Sequence, residues 1–230
     1  MSRTLYLVRH GEHLDAEHGV PDGGLSKRGA RQAQAIAQRL RGIEFDAAWY
    51  SPAQRAAETM EAIESLIPGL NPKPSSLLLD CIPSGFVDGT PEAYESFFGA
   101  YTDAEIEAGS AQMTDAVAEF LGSARQGKEL IVTHNFVIAW FVREVMLSPE
   151  WRWLGINQAH CALTVLHQMP GRPWTLRVHN DVGHLPETLR THPQGWSALG
   201  HVTVLAVMSS ALALVLWNVL LQRTTALRAS

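Results

Sequence analysis

Cysteine is nearly absent: Cys81 and Cys161 are the only two in 230 residues. That pattern offers neither a disulfide framework nor a zinc cluster of thiolates, and a reduced compartment is its simplest reading. Positive charge is also scarce, with 18 Lys and Arg against 23 Asp and Glu for a formal net charge of −5 and no long basic run. A general nucleic-acid binder is excluded on that account, although two or three convergent arginines would still make a local anion pocket. An N-terminal apolar leader is not expected, because Met1 to Val8 runs directly into Arg9-His10.

Charge of either sign is lacking from 191–222, which holds no Asp, Glu, Lys or Arg. Within 202–221 only Thr203, Ser209, Ser210 and Asn218 interrupt the apolar residues. Twenty helical residues span about 30 Å, the thickness of a bilayer's hydrocarbon core. Trp196 and Trp217 flank the stretch, and Arg223 closes it. The expectation is a single-pass transmembrane helix over 199–222, reached through a linker at 191–198 and followed by a short tail at 223–230. The lipid bilayer is then a partner and the catalytic domain is cytoplasmic; a buried core or dimerisation helix is the alternative. Thr203, Ser210 and Asn218 share one side of a helical wheel, a seam on which two copies could pair as a homodimer, with lipid-facing scatter as the other reading.

The remaining 46% hydrophobic chain can bury a sizeable core. Strands are expected at Thr4 to Val8, Asp46 to Tyr50, Leu77 to Leu79, Glu129 to Thr133, Cys161 to His167 and Thr175 to Val178. Helices are expected from Ser26, a good N-cap, to Arg41, and from Pro52 to Leu66, with others at Pro91 to Phe98, Gln112 to Ala124 and Phe136 to Leu147. Ala33, Ile36, Ala37 and Leu40 fall on one helical face, as do Ala56, Met60 and Ile63. Strands alternating with helices indicate an α/β domain over 1–190, a three-layer α/β/α sandwich around a mostly parallel central sheet, with the C-terminal hydrophobic helix appended.

Three strand-to-loop junctions carry chemistry. Leu5-Tyr-Leu-Val ends in Arg9-His10-Gly11, where a neutral imidazole can attack phosphorus, a guanidinium fork can hold phosphate oxygens, and glycine lets the backbone come close. Ser51-Pro52-x-x-Arg55 puts a cation in the first turn of a helix, where the dipole already favours anions. Val132-Thr133-His134-Asn135 delivers His134 to the start of an apolar helix whose amides can donate to phosphate. Each junction alone also reads as a cap, a salt bridge or packing; together they converge on an oxyanion.

The chain resembles the histidine phosphatase superfamily, which contains phosphoglycerate mutases and acid phosphatases. Val8-Arg9-His10-Gly11, Leu25-Ser26-x-x-Gly29-x-x-Gln32-Ala33, Ser51-Pro52-x-x-Arg55-Ala56-x-x-Thr59 and His134 with its following Asn-Phe-Val-Ile carry the likeness, over roughly Thr4 to Arg190. Leu77-Leu-Leu-Asp80-Cys-Ile-Pro83 and Asn180-Asp-Val-Gly183-His184-Leu-Pro186 are most similar to the membrane-tethered protein serine/threonine phosphatase branch. The resemblance implies that His10 takes the phosphoryl group while Arg9, Arg55 and His134, with Asn135 beside it, hold phosphate. Asp80 occupies the place of the proton donor, with Glu12 and Asp88 as rivals. Ala139 stands where many members carry arginine. His184 is read as packing, and His13 and His18 as solvated. No His, Cys and carboxylate cluster has metal-ligand spacing, so neither metal nor cofactor is expected.

Three functions follow for testing. The first is a membrane-tethered phosphatase acting on a phosphoprotein or small phosphate ester. The second is a phosphoglycerate mutase-type isomerase, disfavoured because 83–109 contains no Lys or Arg with which to grip a second acidic group. The third is an inactive membrane adaptor, disfavoured by the complete set of Arg9, His10, Arg55 and His134. The acidic, aromatic segment from Pro91 to Glu107 is expected to roof the pocket.

Overall fold

The computed structural model describes residues 2–14 and 23–190. The expected anchor at 199–222, its linker, its tail and His18 lie outside the described residues. Among those described, no helix is long and apolar enough to cross a membrane.

Six strands form one sheet: β1 (Arg3–Arg9), β2 (Ala47–Tyr50), β3 (Lys73–Pro74), β4 (Gly127–Thr133), β5 (Leu163–Gln168) and β6 (Trp174–Asp181), in the order β3-β2-β4-β1-β5-β6. The sheet is mixed rather than mostly parallel in its pairings. Pairs β1–β4, β2–β4 and β2–β3 are parallel, but β5 runs antiparallel to both β1 and β6. β3 was unforeseen; its Pro74 is tolerated because the strand lies at the edge of the sheet.

Among the described residues five α-helices accompany the sheet: α1 (Lys27–Leu40), α2 (Gln54–Glu64), α3 (Glu95–Phe98), α4 (Asp103–Phe120) and α5 (Asn135–Val145). Alternation along β1 divides the core. Val8 packs with Ala33, Ile36 and Leu40 of α1 and with Ala56, Met60 and Ile63 of α2. Leu5 and Leu7 face the other way, against Met113, Ala116 and Phe120 of α4 and Val137, Ile138 and Phe141 of α5. Each fully buried large side chain contributes about 1.5–3 kcal/mol, so both faces of the sheet are held firmly.

Two expectations are corrected. Leu77 to Leu79 does not form a strand: Ser76–Leu78 is a 3-10 turn. Its carbonyls are taken by side chains instead of a ladder, with Thr133 Oγ1 donating to Leu78 O and Gln112 Nε2 to Leu79 O. α4 begins nine residues before the expected Gln112, at a capping box in which Thr102 and Glu105 satisfy each other's backbone amides. Midway along it, Gly109 lets the Ile82 backbone cross, since a Cβ there would lie 2.2 Å from Ile82 O.

Candidate active site

Three strand ends meet at one edge of the sheet. β1 and β4 run parallel with Arg9 opposite Thr133, so His10 and His134 leave the sheet side by side. Their ring centroids are 5.0 Å apart. β2 lies on the other side of β4, and Ser51 N donates to Val132 O before the chain turns into α2. Arg55, in the first turn of α2, therefore points back between the two histidines. Its Nε donates to His10 Nε2 at 3.2 Å and its Nη2 to His134 Nδ1 at 3.2 Å. All three side chains are buried.

These contacts assign the protons. Arginine only donates, so His10 Nε2 and His134 Nδ1 present lone pairs to it. The opposite nitrogens are then the donors: His10 Nδ1–H to Gly11 O at 2.7 Å and His134 Nε2–H to Ser51 Oγ at 2.7 Å. Burial, then the neighbouring His134 ring and the Arg9 charge, hold His10 neutral well below the usual histidine range. Burial, then Arg55 and Arg9, do the same for His134. The result is an unprotonated Nε2 on His10, aimed into a pocket walled by guanidinium groups.

Gly11 is fixed from both sides. Its amide donates to Thr59 Oγ1 at 3.0 Å, and a Cβ at this position would come 2.7 Å from Gly29 O. Arg9 Nη1 donates to Gln158 O at 2.5 Å, while its Nε is buried without a hydrogen-bond partner among the described residues. Burial is the main cause that lowers the Arg9 pKa to about 10, with Asp80 opposing and Arg55 reinforcing the shift. A half-buried guanidinium whose Nε–H is a spare, buried donor is an anion receptor.

Asp80 reaches the same place from the loop after the 3-10 turn. Its Oδ2 is 3.9 Å from Arg55 Nη2 and 4.0 Å from His134 Nδ1, with 43% of the side chain exposed. Desolvation by the pocket wall raises its pKa, against the pull of Arg55 and Arg9. The rival carboxylates lie elsewhere: Glu12 accepts from Ser26 Oγ at the start of α1, and Asp88 is exposed. A cavity of about 400 Å³ opens beside Asp80, lined by Ile82, Tyr101, Glu105, Gln112 and Phe136 among others. Tyr101 and Glu105 bring the acidic, aromatic segment to this cavity. Phe97, Phe98 and Trp153 pack behind it around Ala139, so the missing arginine is replaced by core.

Asn135 stands at the start of α5, but its side chain is engaged in bracing the loop before β5. Its Oδ1 accepts from Gln158 N at 2.7 Å and its Nδ2 donates to Asn157 Oδ1 at 3.2 Å. His184 is also a brace, its Nε2 3.0 Å from Cys161 O. His13, expected in solvent, is half-buried with its ring 5.7 Å from that of His10. His160 was not foreseen at all: its ring centroid lies 5.5 Å from that of His10, and neither ring nitrogen has a hydrogen-bond partner among the described residues. Burial first, then Arg9 and His13, push its pKa down to about 2. The ligand nitrogens of His10, His13 and His160 fall within 4.8 Å of one another. Sequence spacing gave no sign of this cluster, because His160 reaches the site from the turn before β5 and belongs to no motif.

The family model described as histidine phosphatase superfamily (branch 1) matches residues 5–76 and 90–182. The mitochondrial serine/threonine-protein phosphatase Pgam5 of Caenorhabditis briggsae is 30% identical over 192 residues, 80% of this chain and 65% of that protein. Its counterpart in Drosophila virilis is 30% identical over 200 residues, 83% of this chain and 67% of that protein. The chain thus spans about two thirds of the length of these relatives. Among solved structures, the α-ribazole phosphatase of Shigella flexneri superposes with a TM-score of 0.64 at 20% identity, covering 77% of this chain and 96% of that one.

Proposed function

The chain belongs to the histidine phosphatase superfamily, and from that premise we propose that it hydrolyses phosphate monoesters through a phosphohistidine on His10. The observation that carries this reading is the hydrogen bond from Arg55 to His10 Nε2, which leaves a neutral, unprotonated nitrogen facing an anion pocket.

In the first step the Nε2 lone pair attacks phosphorus and the bond to the leaving oxygen breaks. Arg9 and Arg55 hold the non-bridging oxygens, joined by His134 once the phosphate's charge of about −1.5 to −2 favours a proton on its Nδ1. Asp80 gives its proton to the departing alkoxide. In the second step a water attacks the phosphohistidine, Asp80 takes the water's proton, and inorganic phosphate leaves with the P–N bond broken. Two in-line displacements replace one very slow hydrolysis.

The substrate class is a phosphorylated serine or threonine side chain or a small phosphate ester. The names of the curated relatives support the former, and the open cavity beside Asp80 leaves room for the rest of a substrate. The charge-free stretch at 199–222 supports a membrane tether for the domain. Asn135 serves phosphate through the position of its helix, its side chain being occupied.

Rapid mixing with radiolabelled phosphate ester, quenched in alkali, tests the mechanism. A phosphoenzyme that is alkali-stable and acid-labile is expected in the native protein and absent from His10→Ala. Native turnover in His10→Ala would overturn the reading. Carbonate extraction of full-length chain, against one ending at Arg190, tests the tether.

A further inference from the structure

We propose that His10, His13 and His160 form a reversible inhibitory site for Zn²⁺, which silences the enzyme by taking the lone pair of its nucleophile. The inhibitory consequence rests on the phosphatase reading; the binding does not.

Three imidazoles from three separate segments present ligand nitrogens within 4.8 Å of one another. Bonds of about 2.05 Å in a tetrahedral shell need nitrogens about 3.3 Å apart, so a modest closure completes the set. His160 and His13 are placed to make it. His160 has no hydrogen bond on either ring nitrogen to lose, and His13 Nδ1 is likewise buried without a partner among the described residues. His10 is oriented as a ligand already: Nδ1–H is held by Gly11 O at 2.7 Å, which fixes the ring and turns the Nε2 lone pair into the pocket, where the metal displaces the 3.2 Å hydrogen bond from Arg55 Nε. A carbonyl behind a metal-bound imidazole is the usual means of fixing its tautomer and orientation.

The donor set selects the ion. Three neutral nitrogens suit Zn²⁺, whereas Mg²⁺ requires oxygen ligands and keeps its water. Three protein ligands also leave a fourth position open, for water or an anion. Arg9 and Arg55 repel a cation, and this opposition, partly offset by Asp80 beside Arg55, keeps the site weak enough to be emptied by a chelator. His13 and His160 hold no phosphate in the mechanism above, so they can be changed without touching its machinery.

The test uses the full chain, freed of metal with a chelator and then titrated with ZnCl₂ alone. Calorimetry follows binding, and hydrolysis of nitrophenyl phosphate follows activity. Turnover is expected to fall at least about ten-fold at saturating Zn²⁺, to return when chelator is added, and to ignore Mg²⁺. His160→Gln and His13→Gln are each expected to keep native turnover in chelator while shifting the Zn²⁺ midpoint by about ten-fold or more. His10→Ala should lose the same calorimetric site. Inhibition unchanged in the His13→Gln, His160→Gln double variant would overturn the proposal, as would full Zn²⁺ stoichiometry in that variant. Should the chain lack phosphatase activity altogether, Zn²⁺ affinity weakened about ten-fold or more by calorimetry in His160→Gln still supports the binding, and unchanged affinity refutes it.

Discussion

Arg55 Nε lies 3.2 Å from His10 Nε2 and donates to it, so the guanidinium that we propose holds phosphate also marks the nitrogen that we propose attacks it. The same side chain reaches His134 through Nη2. One planar group thus sets the tautomers of both pocket histidines, a duty that a point charge on a flexible stem cannot perform.

Arg55→Lys is therefore expected to cost more than a conservative change suggests. Losing a charge-assisted hydrogen bond is worth about 1.5–3 kcal/mol, which corresponds to roughly 10–100-fold in kcat/KM. Phosphate binding gives an independent reading. At 100 times its Kd, inorganic phosphate should stabilise the native protein by about 2.7 kcal/mol, seen as a rise in Tm. The rise should shrink in Arg55→Lys; an equal rise would show that Arg55 does not hold the anion.

Asp80 is separable from the nucleophile by choice of leaving group. An alkoxide such as a serine side chain needs a proton, whereas nitrophenolate departs without one. Asp80→Asn should lower turnover of phosphoserine peptides by about 10²–10⁴-fold. Nitrophenyl phosphate should lose far less. Equal losses on both substrates would remove Asp80 from the role of acid. The raised pKa of Asp80 adds a sign: turnover of the alkyl ester should fall as pH rises and the acid form empties, and the nitrophenyl ester should not follow it.

The parts of this architecture that were legible in the sequence are those written in local pattern. The apolar β1 run, the Ser26 cap and the single-face spacing of Ala33, Ile36 and Leu40 identify their elements without tertiary help. The convergence of Arg9, His10, Arg55 and His134 was legible because each sits at a strand-to-helix junction, and parallel strands bring such junctions to one edge. What escaped depended on partners far along the chain. Leu77 to Leu79 resembles a strand by composition, yet Thr133 and Gln112 take its carbonyls. The antiparallel entry of β5 has no local signature. His160 belongs to a turn whose course is set by Arg9, His10 and His184 contacting the Cys161 backbone. The α4 cap is different: Thr102-x-x-Glu105 is a capping box written in local sequence.

Ser51 positions His134 and touches no substrate in this scheme. Its Oγ accepts from His134 Nε2 at 2.7 Å, deep in the core. Ser51→Ala leaves a buried donor unpaired, at a cost of about 1–3 kcal/mol in stability. Released from that partner, the ring can turn and lengthen the hydrogen bond that its Nδ1 accepts from Arg55. Nitrogen NMR of the histidines should then show a shifted Nδ1 signal together with reduced kcat. A purely structural role would lower the denaturation midpoint and leave the Nδ1 signal in place.

Gly29 tests the packing behind the loop that carries His10. Alanine normally strengthens a helix by about 1 kcal/mol relative to glycine. Here a Cβ would fall 1.9 Å from Glu12 O, a backbone atom one residue beyond Gly11. Overpacking of this kind costs typically about 1–3 kcal/mol and displaces backbone, so Gly29→Ala should lower both the urea midpoint and turnover. An unchanged or raised midpoint would mean that the loop yields freely.

Acid should unfold this protein through its buried histidines. His10 and His134 are neutral in the folded state well below pH 6.5, whereas in the unfolded chain they take up protons near that value. Below pH 6.5 the unfolded state therefore binds more protons, and stability rises with pH across that window and falls as pH drops through it. Each histidine kept neutral contributes a slope of up to about 1.4 kcal/mol per pH unit. His160, held neutral down to about 2, adds a third contribution. Denaturant midpoints measured in chelator between pH 7 and pH 5 should fall steeply in the native chain and less steeply in His160→Gln. Equal slopes in the two proteins would show that residue 160 is protonated as readily in the fold as in the open chain.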